Sequence, residues 1–537
     1  MVAALRLSRF AIPFMALCAG VHPVAASEGN LVVNGDFEQP GRIGSPPGRT
    51  MWGARRDKVL DHVTCDTPRP HGGQARFRIR HPAGTAGYLV SAPEDAIRSR
   101  EDMRYVENDL VHDLPVTLTG DRLATTLLAR SVAFLTLTRE PPPRQGGKTG
   151  DASIEEAARW LHAKAVAMIR ASRVTMASGV AAFPPQAGAG YSAFWLRDFA
   201  YQLEGCRDAF SDRELTDACR VFVRAMGSDG SGVDCVKFDG TPVYKPGFGT
   251  MGEHPVADGS PFTVAVAWHA YQKTRDPQLL AEVVDPLVKA LRAVPRDPRT
   301  GLVFIRPGGW DRCPYGFTDT VRKQGAELFT SLLHIQACRR LADLLDAAHR
   351  PAEAGRWRGE AERLIPILRT TFWDARVGLF RAATVSCTQP DIWGSAFAVD
   401  LEVATPEQSR TVATYFKNHY DEIVQRGQIR HLPGGVYWDA ACPRDTYQNG
   451  GYWATATGWF VETLDLVDPG LADRTVINLV DDFRTRGVSE WVLGPRTAVM
   501  NYLASATMPL AGVRTLCARR GTHPPGTRGV SNVELKP

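Results

Sequence analysis

Acids and aromatics in this chain occur together, at intervals, and in the company of glycine. Phe194-Trp-Leu-Arg-Asp-Phe-Ala-Tyr201 sets Trp195 beside an adjacent Arg197-Asp198 pair, and a helical pattern follows directly. Glu253-His-Pro-Val-Ala-Asp-Gly-Ser-Pro261 brings Asp258 to the start of another helix. Gly308-Gly-Trp-Asp-Arg-Cys-Pro-Tyr-Gly-Phe-Thr-Asp-Thr320 carries Trp310, Asp311 and Asp319. Tyr447-Gln-Asn-Gly-Gly-Tyr-Trp453 supplies Tyr447, Asn449, Tyr452 and Trp453, and Gly487-Val-Ser-Glu-Trp491 sets Glu490 beside Trp491. An aromatic face covers the apolar side of a pyranose, while carboxylates accept from its hydroxyls and a guanidinium donates to them. These residue types in one cleft point to carbohydrate chemistry.

Hydrolysis of a glycoside needs one carboxylic acid to protonate the leaving oxygen and a carboxylate on the other side of the ring. In inverting enzymes the two stand about 6.5–9.5 Å apart to admit a water. Asp319 and Glu490 are far apart in sequence, as loops on opposite sides of a funnel would be, so Asp319 is the candidate acid and Glu490 the candidate base. Trp195, Arg197, Asp198, Asp258, Trp310, Asp311, Tyr447, Asn449, Tyr452, Trp453 and Trp491 are the candidate sugar contacts.

Such loops need a scaffold that delivers them to one place. About twelve amphipathic segments begin near Ser153, Phe194, Asp212, Ser260, Asp276, Arg322, Pro351, Asp391, Thr405, Tyr452, Asp473 and Thr497. They fall into pairs with short internal connections, and long loops rich in glycine and aromatics, such as residues 175–193 and 227–259, lead to the next pair. Six helical hairpins closing into an (α/α)6 toroid meet this pattern, with the inner helices pointing their N-termini toward a central funnel. A mainly α domain over residues 151–515 is expected, ending in a tail over 516–537.

Ahead of it, residues 27–140 favour strands and turns, as in the period-two alternation of Arg76-Phe-Arg-Ile-Arg80. A smaller β-sandwich-like domain is expected there, either bracing the toroid or binding carbohydrate. Residues 141–150, opening with three prolines, read as a linker. Residues 1–26 read as a signal peptide: Arg6 and Arg9 precede an apolar run, and Val24-Ala-Ala26 offers a cleavage site. A secreted or periplasmic protein with no integral membrane segment after signal removal is the expectation.

The 537 residues carry a formal charge of only +5 and no basic run, which argues against a nucleic-acid partner. No cysteine or histidine spacing of the zinc-site kind occurs, and neither metal nor cofactor is expected. Ten cysteines, one of them in the leader, leave an odd number after export, and Cys206 and Cys219 are the candidate disulfide partners.

The region from about Ser153 to Arg514 resembles the six-hairpin glycosidases, the (α/α)6 group of glucoamylases, trehalases, processing α-glucosidases and neutral invertases. Phe194-Trp-Leu-Arg-Asp-Phe-Ala resembles the glucoamylase Trp-Thr-Arg-Asp-Ser-Ala, which implies that Arg197 and Asp198 hold the terminal sugar. Asp258-Gly-Ser-Pro261 resembles their Arg-Asp-Gly-Pro, with Ala257 in the arginine's place. Asp319 stands nearest the general acid, an aspartate in invertases and trehalases, and Tyr447-Gln-Asn-Gly-Gly-Tyr-Trp-Ala resembles the invertase Tyr-His-Asn-Gly-Gly-Ser-Trp-Pro. The resemblance implies an exo-acting inverting glycosidase with an oligosaccharide or polysaccharide substrate. Two other classes stay open. A polysaccharide lyase would use a Tyr/His pair, here Tyr244 and His254, and a non-catalytic carbohydrate-binding protein would have no need of Asp319 or Glu490.

Overall fold

The computed structural model describes residues 153–188, 191–247, 252–307 and 312–521, together with the backbone of eight strands between residues 30 and 137. Residues 1–26, 141–150 and 522–537, together with Trp310 and Asp311, lie outside the described residues, and residues 516–519, expected in the tail, complete the last helix. The chain divides into two units at Gly150 and Asp151.

In the first unit the eight strands make two antiparallel four-stranded sheets. One joins Asn30–Asn34, Val132–Leu137, Thr85–Val90 and Val111–Asp113 in that order. The other joins Val63–Cys65, Gln74–Arg80, Arg122–Leu128 and Val116–Thr119.

The second unit contains twelve helices of eight residues or more among the described residues. In chain order they are α1 (Ile154–Ser172), α2 (Leu196–Cys206), α3 (Asp212–Arg224), α4 (Gly259–Thr274), α5 (Pro277–Arg292) and α6 (Leu328–Ala347). The remaining six are α7 (Pro351–Phe372), α8 (Ile392–Asp400), α9 (Pro406–Asn418), α10 (Thr457–Leu464), α11 (Pro469–Arg486) and α12 (Ala504–Arg519). Helices α2, α4, α6, α8, α10 and α12 each pack on the next, and α12 returns to α2, so the six inner helices form a closed ring. The outer helix α1 packs on α11 and α12, which joins the two ends of the toroid.

The sequence distinguishes the two layers. Outer helices are polar on one side and start on local signals. Ser211 with Glu214 and Thr405 with Gln408 form capping boxes ahead of α3 and α9, and Pro277, Pro351 and Pro469 occupy first turns. Inner helices are buried nearly all round, as in α2, where only Glu204 is not buried. A helix apolar on every side is stable only when enclosed. Four inner helices start later than their patterns suggest, because short strands precede them. Ala193–Trp195 comes before α2, Gly325–Ala326 before α6, Tyr452–Trp453 before α10, and Arg496–Met500 before α12. In three of them aromatic or β-branched residues pair as strands instead of winding, and ahead of α6 Gly325 breaks the helical path with φ of 84°.

Cys206 and Cys219 do not bridge, and the eight cysteines among the described side chains are free thiols. Both side chains fill the helical core as small apolar groups, which corrects the disulfide expectation. No helix among the described residues is long and apolar enough to cross a membrane.

The ring closes through glycine contacts. A Cβ at Gly205 on α2 would lie 1.7 Å from the Thr507 carbonyl oxygen on α12, and one at Gly512 on α12 would lie 2.3 Å from Gly458 Cα on α10. Gly205→Ala or Gly512→Ala must push inner helices apart, which should cost about 2 kcal/mol or more. Urea unfolding should show a lower midpoint for each, and an unchanged midpoint would mean that the helices do not meet so closely.

Candidate active site

The polar residues collect at the end of the toroid where inner helices begin. Arg197 and Asp198 occupy the first turn of α2, and Asp258 is the residue ahead of α4. Asp319 follows a short turn, Gly316–Thr318, on the approach to α6, and Tyr502 lies just before α12. Glu490 sits in the strand Ser489–Leu493, part of a five-stranded antiparallel sheet, and not in a loop as its glycine-rich neighbourhood suggested.

Arg197 is at the base of this arrangement. Its Nε donates to Asp258 Oδ2 at 2.7 Å, and its Nη2 donates to Asp258 Oδ1 at 3.0 Å and Asp234 Oδ1 at 3.1 Å. All three side chains are almost completely buried. Phe262, Tyr315 and Phe317 surround the guanidinium. Gly316 donates its N–H to Asp258 at 2.9 Å, and a Cβ there would fall 1.9 Å from the guanidinium, so only glycine lets the backbone approach this closely. Arg197 and Asp258 therefore brace the site, with their hydrogen bonds directed at protein groups.

Three further carboxyls have neutral partners. Tyr502 Oη donates to Asp198 Oδ1 at 2.6 Å, and Gln448 Nε2 donates to Asp319 Oδ1 at 2.9 Å. Tyr191 Oη donates to Glu490 Oε1 at 3.4 Å, and the Tyr447 phenol bonds to the same carboxyl. Burial pushes Asp198 and Asp319 up to about 7, each partly countered by its hydrogen-bond donor and by Arg197. Burial and the nearby Asp198 and Asp319 push Glu490 up to about 8, against the pull of the two phenols. The three groups lie within electrostatic reach of one another and hold protons that free carboxyls would have lost at neutral pH.

The structure thus brings together Arg197, Asp198, Asp258, Asp319, Glu490 and Tyr447. Trp195, partly exposed, meets the Tyr191 ring edge-on at 4.9 Å and flanks the carboxyls. Trp491 and Trp453 are buried behind Tyr447, paired across adjacent strands. Asn449 is fully engaged with backbone: its Oδ1 accepts from Trp438 N at 2.8 Å, and its Nδ2 donates to Cys442 O at 2.7 Å. Tyr452 gives its hydroxyl to Glu422 O at 3.1 Å. Asn449, Tyr452 and Trp453 shape the loop, as their types alone could not reveal.

Sequence reasoning missed Asp234, Gln448, Tyr191 and Tyr502. Gln448 stood inside the Tyr447–Trp453 motif, and Tyr191 is four residues ahead of Trp195, so both carried a positional signal. Asp234 carried none. The Tyr244 hydroxyl donates to the Ala225 carbonyl at 2.9 Å.

One group among the described residues gathers metal-binding atoms, namely His162, Cys206 and Asp208. Asp208 already pairs with His162 at 2.6 Å and Arg514 at 3.3 Å, and burial pushes the Cys206 thiol up to about 12. It lies at the far end of α2 from Asp198 and reads as an ion-pair cluster.

Comparison with solved structures agrees with the ring. A GH63 mannosylglycerate hydrolase from Thermus thermophilus, in complex with glucose, has a TM-score of 0.50 at 17% identity, over 65% of this chain and 99% of that one. A rhamnosidase from Klebsiella oxytoca with rhamnose bound has a TM-score of 0.51 at 14% identity, over 96% of this chain and 99% of that one. What is shared is the fold. No family model matches the chain, and no curated protein matches it in sequence.

Two expectations follow from the geometry. Arg197→Ala leaves Asp234 and Asp258 buried without their cation, which should destabilise the toroid by about 3–5 kcal/mol. Thermal unfolding should show the loss, and a wild-type melting temperature would put Arg197 outside the scaffold.

Glu490→Gln should instead stabilise the protein at alkaline pH. A carboxyl raised to about 8 in the folded state contributes stability that is fully present below its unfolded value, near 4.5, and is lost as pH rises through 8. The neutral amide escapes that loss, on the order of 2 kcal/mol or more. Melting temperatures of variant and wild type should nearly coincide at pH 5 and diverge at pH 9 in the variant's favour. Parallel curves would show that Glu490 ionises freely.

Proposed function

We propose that this chain is an exported inverting glycosidase that removes terminal sugars from oligosaccharides or polysaccharide ends. Asp319 serves as general acid and Glu490 as general base. The observation that carries the reading is the pair of buried carboxyls, Asp319 and Glu490, raised toward neutrality and held by neutral donors at the mouth of a closed helical ring. An acid tuned near working pH can both keep and release its proton. The roles are assigned from position in the chain, since burial beside Asp198 and Asp319 holds the Glu490 proton more tightly than that of Asp319 in the free protein. Two phenols favour the ionised form of Glu490, whereas Asp319 receives one amide donor.

In the productive complex the Asp319 proton passes to the glycosidic oxygen as the anomeric C–O bond breaks. Water attacks the anomeric carbon from the opposite face and gives its proton to Glu490. Asp198 and Trp195 receive the sugar's hydroxyls and apolar face. Two of the similar structures are a mannosylglycerate hydrolase in complex with glucose and a rhamnosidase with rhamnose bound. The monosaccharides named in these complexes support exo action and a small terminal residue here. The two N-terminal sheets are proposed to pack as a sandwich, with residues 1–26 as the export signal.

Asp319→Asn should reduce turnover about 10²–10⁴-fold on a glycoside with a poor leaving group while leaving the melting curve at pH 4 nearly unchanged. Glu490→Gln should be equally impaired on that substrate yet partly active on the glycosyl fluoride of opposite anomeric configuration. NMR of the fresh reaction should show the inverted anomer before mutarotation. Retention of configuration, or full activity in either variant, would remove the assignment.

A further inference from the structure

Gln448 has two fixed contacts. Its Oε1 accepts the Thr320 backbone N–H at 2.9 Å and lies 2.7 Å from the Thr320 hydroxyl, while its Nε2 donates to Asp319 Oδ1 at 2.9 Å. A backbone N–H can only donate. The carbonyl end of the amide must therefore face Thr320, and the NH2 end must face Asp319. The amide has no freedom to flip, because the residue that sets its direction is the chain neighbour of the one it touches.

We infer that Gln448 is a positioning residue for catalysis: it reserves Oδ1 of Asp319 as an acceptor and leaves the transferable proton on Oδ2. In a carboxylic acid the hydroxyl oxygen is the poorer acceptor, so a fixed donor selects the other oxygen for the carbonyl role. The inference rests on Asp319 being the general acid. The Oδ2 proton moves to the glycosidic oxygen, which takes the electron pair of the breaking anomeric C–O bond. The attacking water's oxygen joins the anomeric carbon, and its proton goes to Glu490. Asp319 is left anionic, and the Gln448 bond becomes charge-assisted as that anion forms. The contact is thus stronger in the transition state than before it, which is the condition for accelerating the chemical step.

The turn that carries Gln448 is held independently of substrate. Trp438 Nε1 donates to Gln448 O at 3.0 Å, and Asn449 ties the next residue to Trp438 and Cys442. One residue earlier, Tyr447 bonds Glu490, so consecutive side chains address the two carboxyls. The other ionisable groups within electrostatic reach of Asp319 include Arg197, Asp234, Glu490, Tyr191, Tyr447 and Cys313.

The test is a titration of enzyme carrying aspartate labelled with carbon-13 at the γ position, the Asp319 signal being the one lost in Asp319→Asn. Gln448→Glu keeps an acceptor for the Thr320 N–H, removes the donor to Asp319 and adds an anion beside it. The Asp319 midpoint should rise by about one unit or more in this variant. Gln448→Leu, which removes the donor without adding charge, should shift it the same way by less. Midpoints unmoved in both variants overturn the inference.

A second readout uses whichever nitrophenyl glycoside or natural disaccharide the wild type hydrolyses. The basic limb of kcat should move upward with the NMR midpoint, while KM changes less than about twofold, as expected for an interaction made chiefly in the transition state. A midpoint that moves while the pH–rate profile stays fixed would instead overturn Asp319 as the acid and leave the Gln448 hydrogen bond standing.

Discussion

A shortage of buried positive charge governs this site. Arg197 is in contact with two carboxylates, Asp234 and Asp258, and its Nε and Nη2 are taken by them. Asp198, Asp319 and Glu490 lie near enough to feel the same charges, but their own hydrogen bonds come from phenols and an amide. Burial without a contacting cation makes ionisation costly, so these three retain protons toward neutral pH. One guanidinium divides five acids into two that anchor and three that can move protons. The scaffold and the chemistry are set by the same contact.

The closed ring explains why these groups meet. Alternate helices point the same way, so six inner N-termini share one end of the toroid, each carrying unsatisfied N–H groups and the positive end of a helix dipole. That field favours carboxylates and partly offsets their burial. The opposite end collects a different set. Glu204 pairs with Arg340 and His269, while the Asp400–Glu462 carboxyl pair faces Arg519. Two arginines there suit the negative ends of the inner helices, and the charges fill the bottom of the ring with ion pairs. Gly205 and Gly512 allow the helices to approach closely enough for both ends to form.

Much of this was legible in the sequence. Outer helices were marked by their amphipathic pattern and short connections, and inner helices by the aromatic loops ahead of them. Asp319 and Glu490 stood out because acids beside Trp, Tyr and Gly in a loop have few structural uses. Partner choice was not legible. Asn449 and Tyr452 have the types of sugar-binding residues but spend their polar atoms on backbone carbonyls and amides. Gln448, one position away from Asn449, reaches an acid. Neighbours in sequence diverge here because residues 445–451 run through left-handed backbone, with φ of 56° at Asp445, 41° at Tyr447 and 137° at Gly450. Such a path turns successive side chains in directions that no periodic pattern encodes. Asp234 was hidden for a related reason: a lone aspartate ahead of a short strand gives no hint that it will share an arginine with Asp258.

The same charge shortage bears on what the site can accept. Among the described residues, the buried cations closest in the chain to Asp198 and Asp319 are Arg197 and Lys323, and both are committed: Arg197 to Asp234 and Asp258, Lys323 to Glu327 at 2.8 Å. A uronate would add another anion to a cluster whose members already resist ionising, and it would find neither of these cations free. Its binding would drive protons onto Asp319 and Glu490 together, leaving no base. A neutral sugar imposes no such demand, because its hydroxyls can donate to carboxylates and accept from protonated ones. Tyr244, the tyrosine that a lyase mechanism would call on, spends its hydroxyl on the Ala225 carbonyl. On the proposed reading, the electrostatics therefore suit an uncharged glycoside better than a charged one, on grounds independent of any likeness in fold.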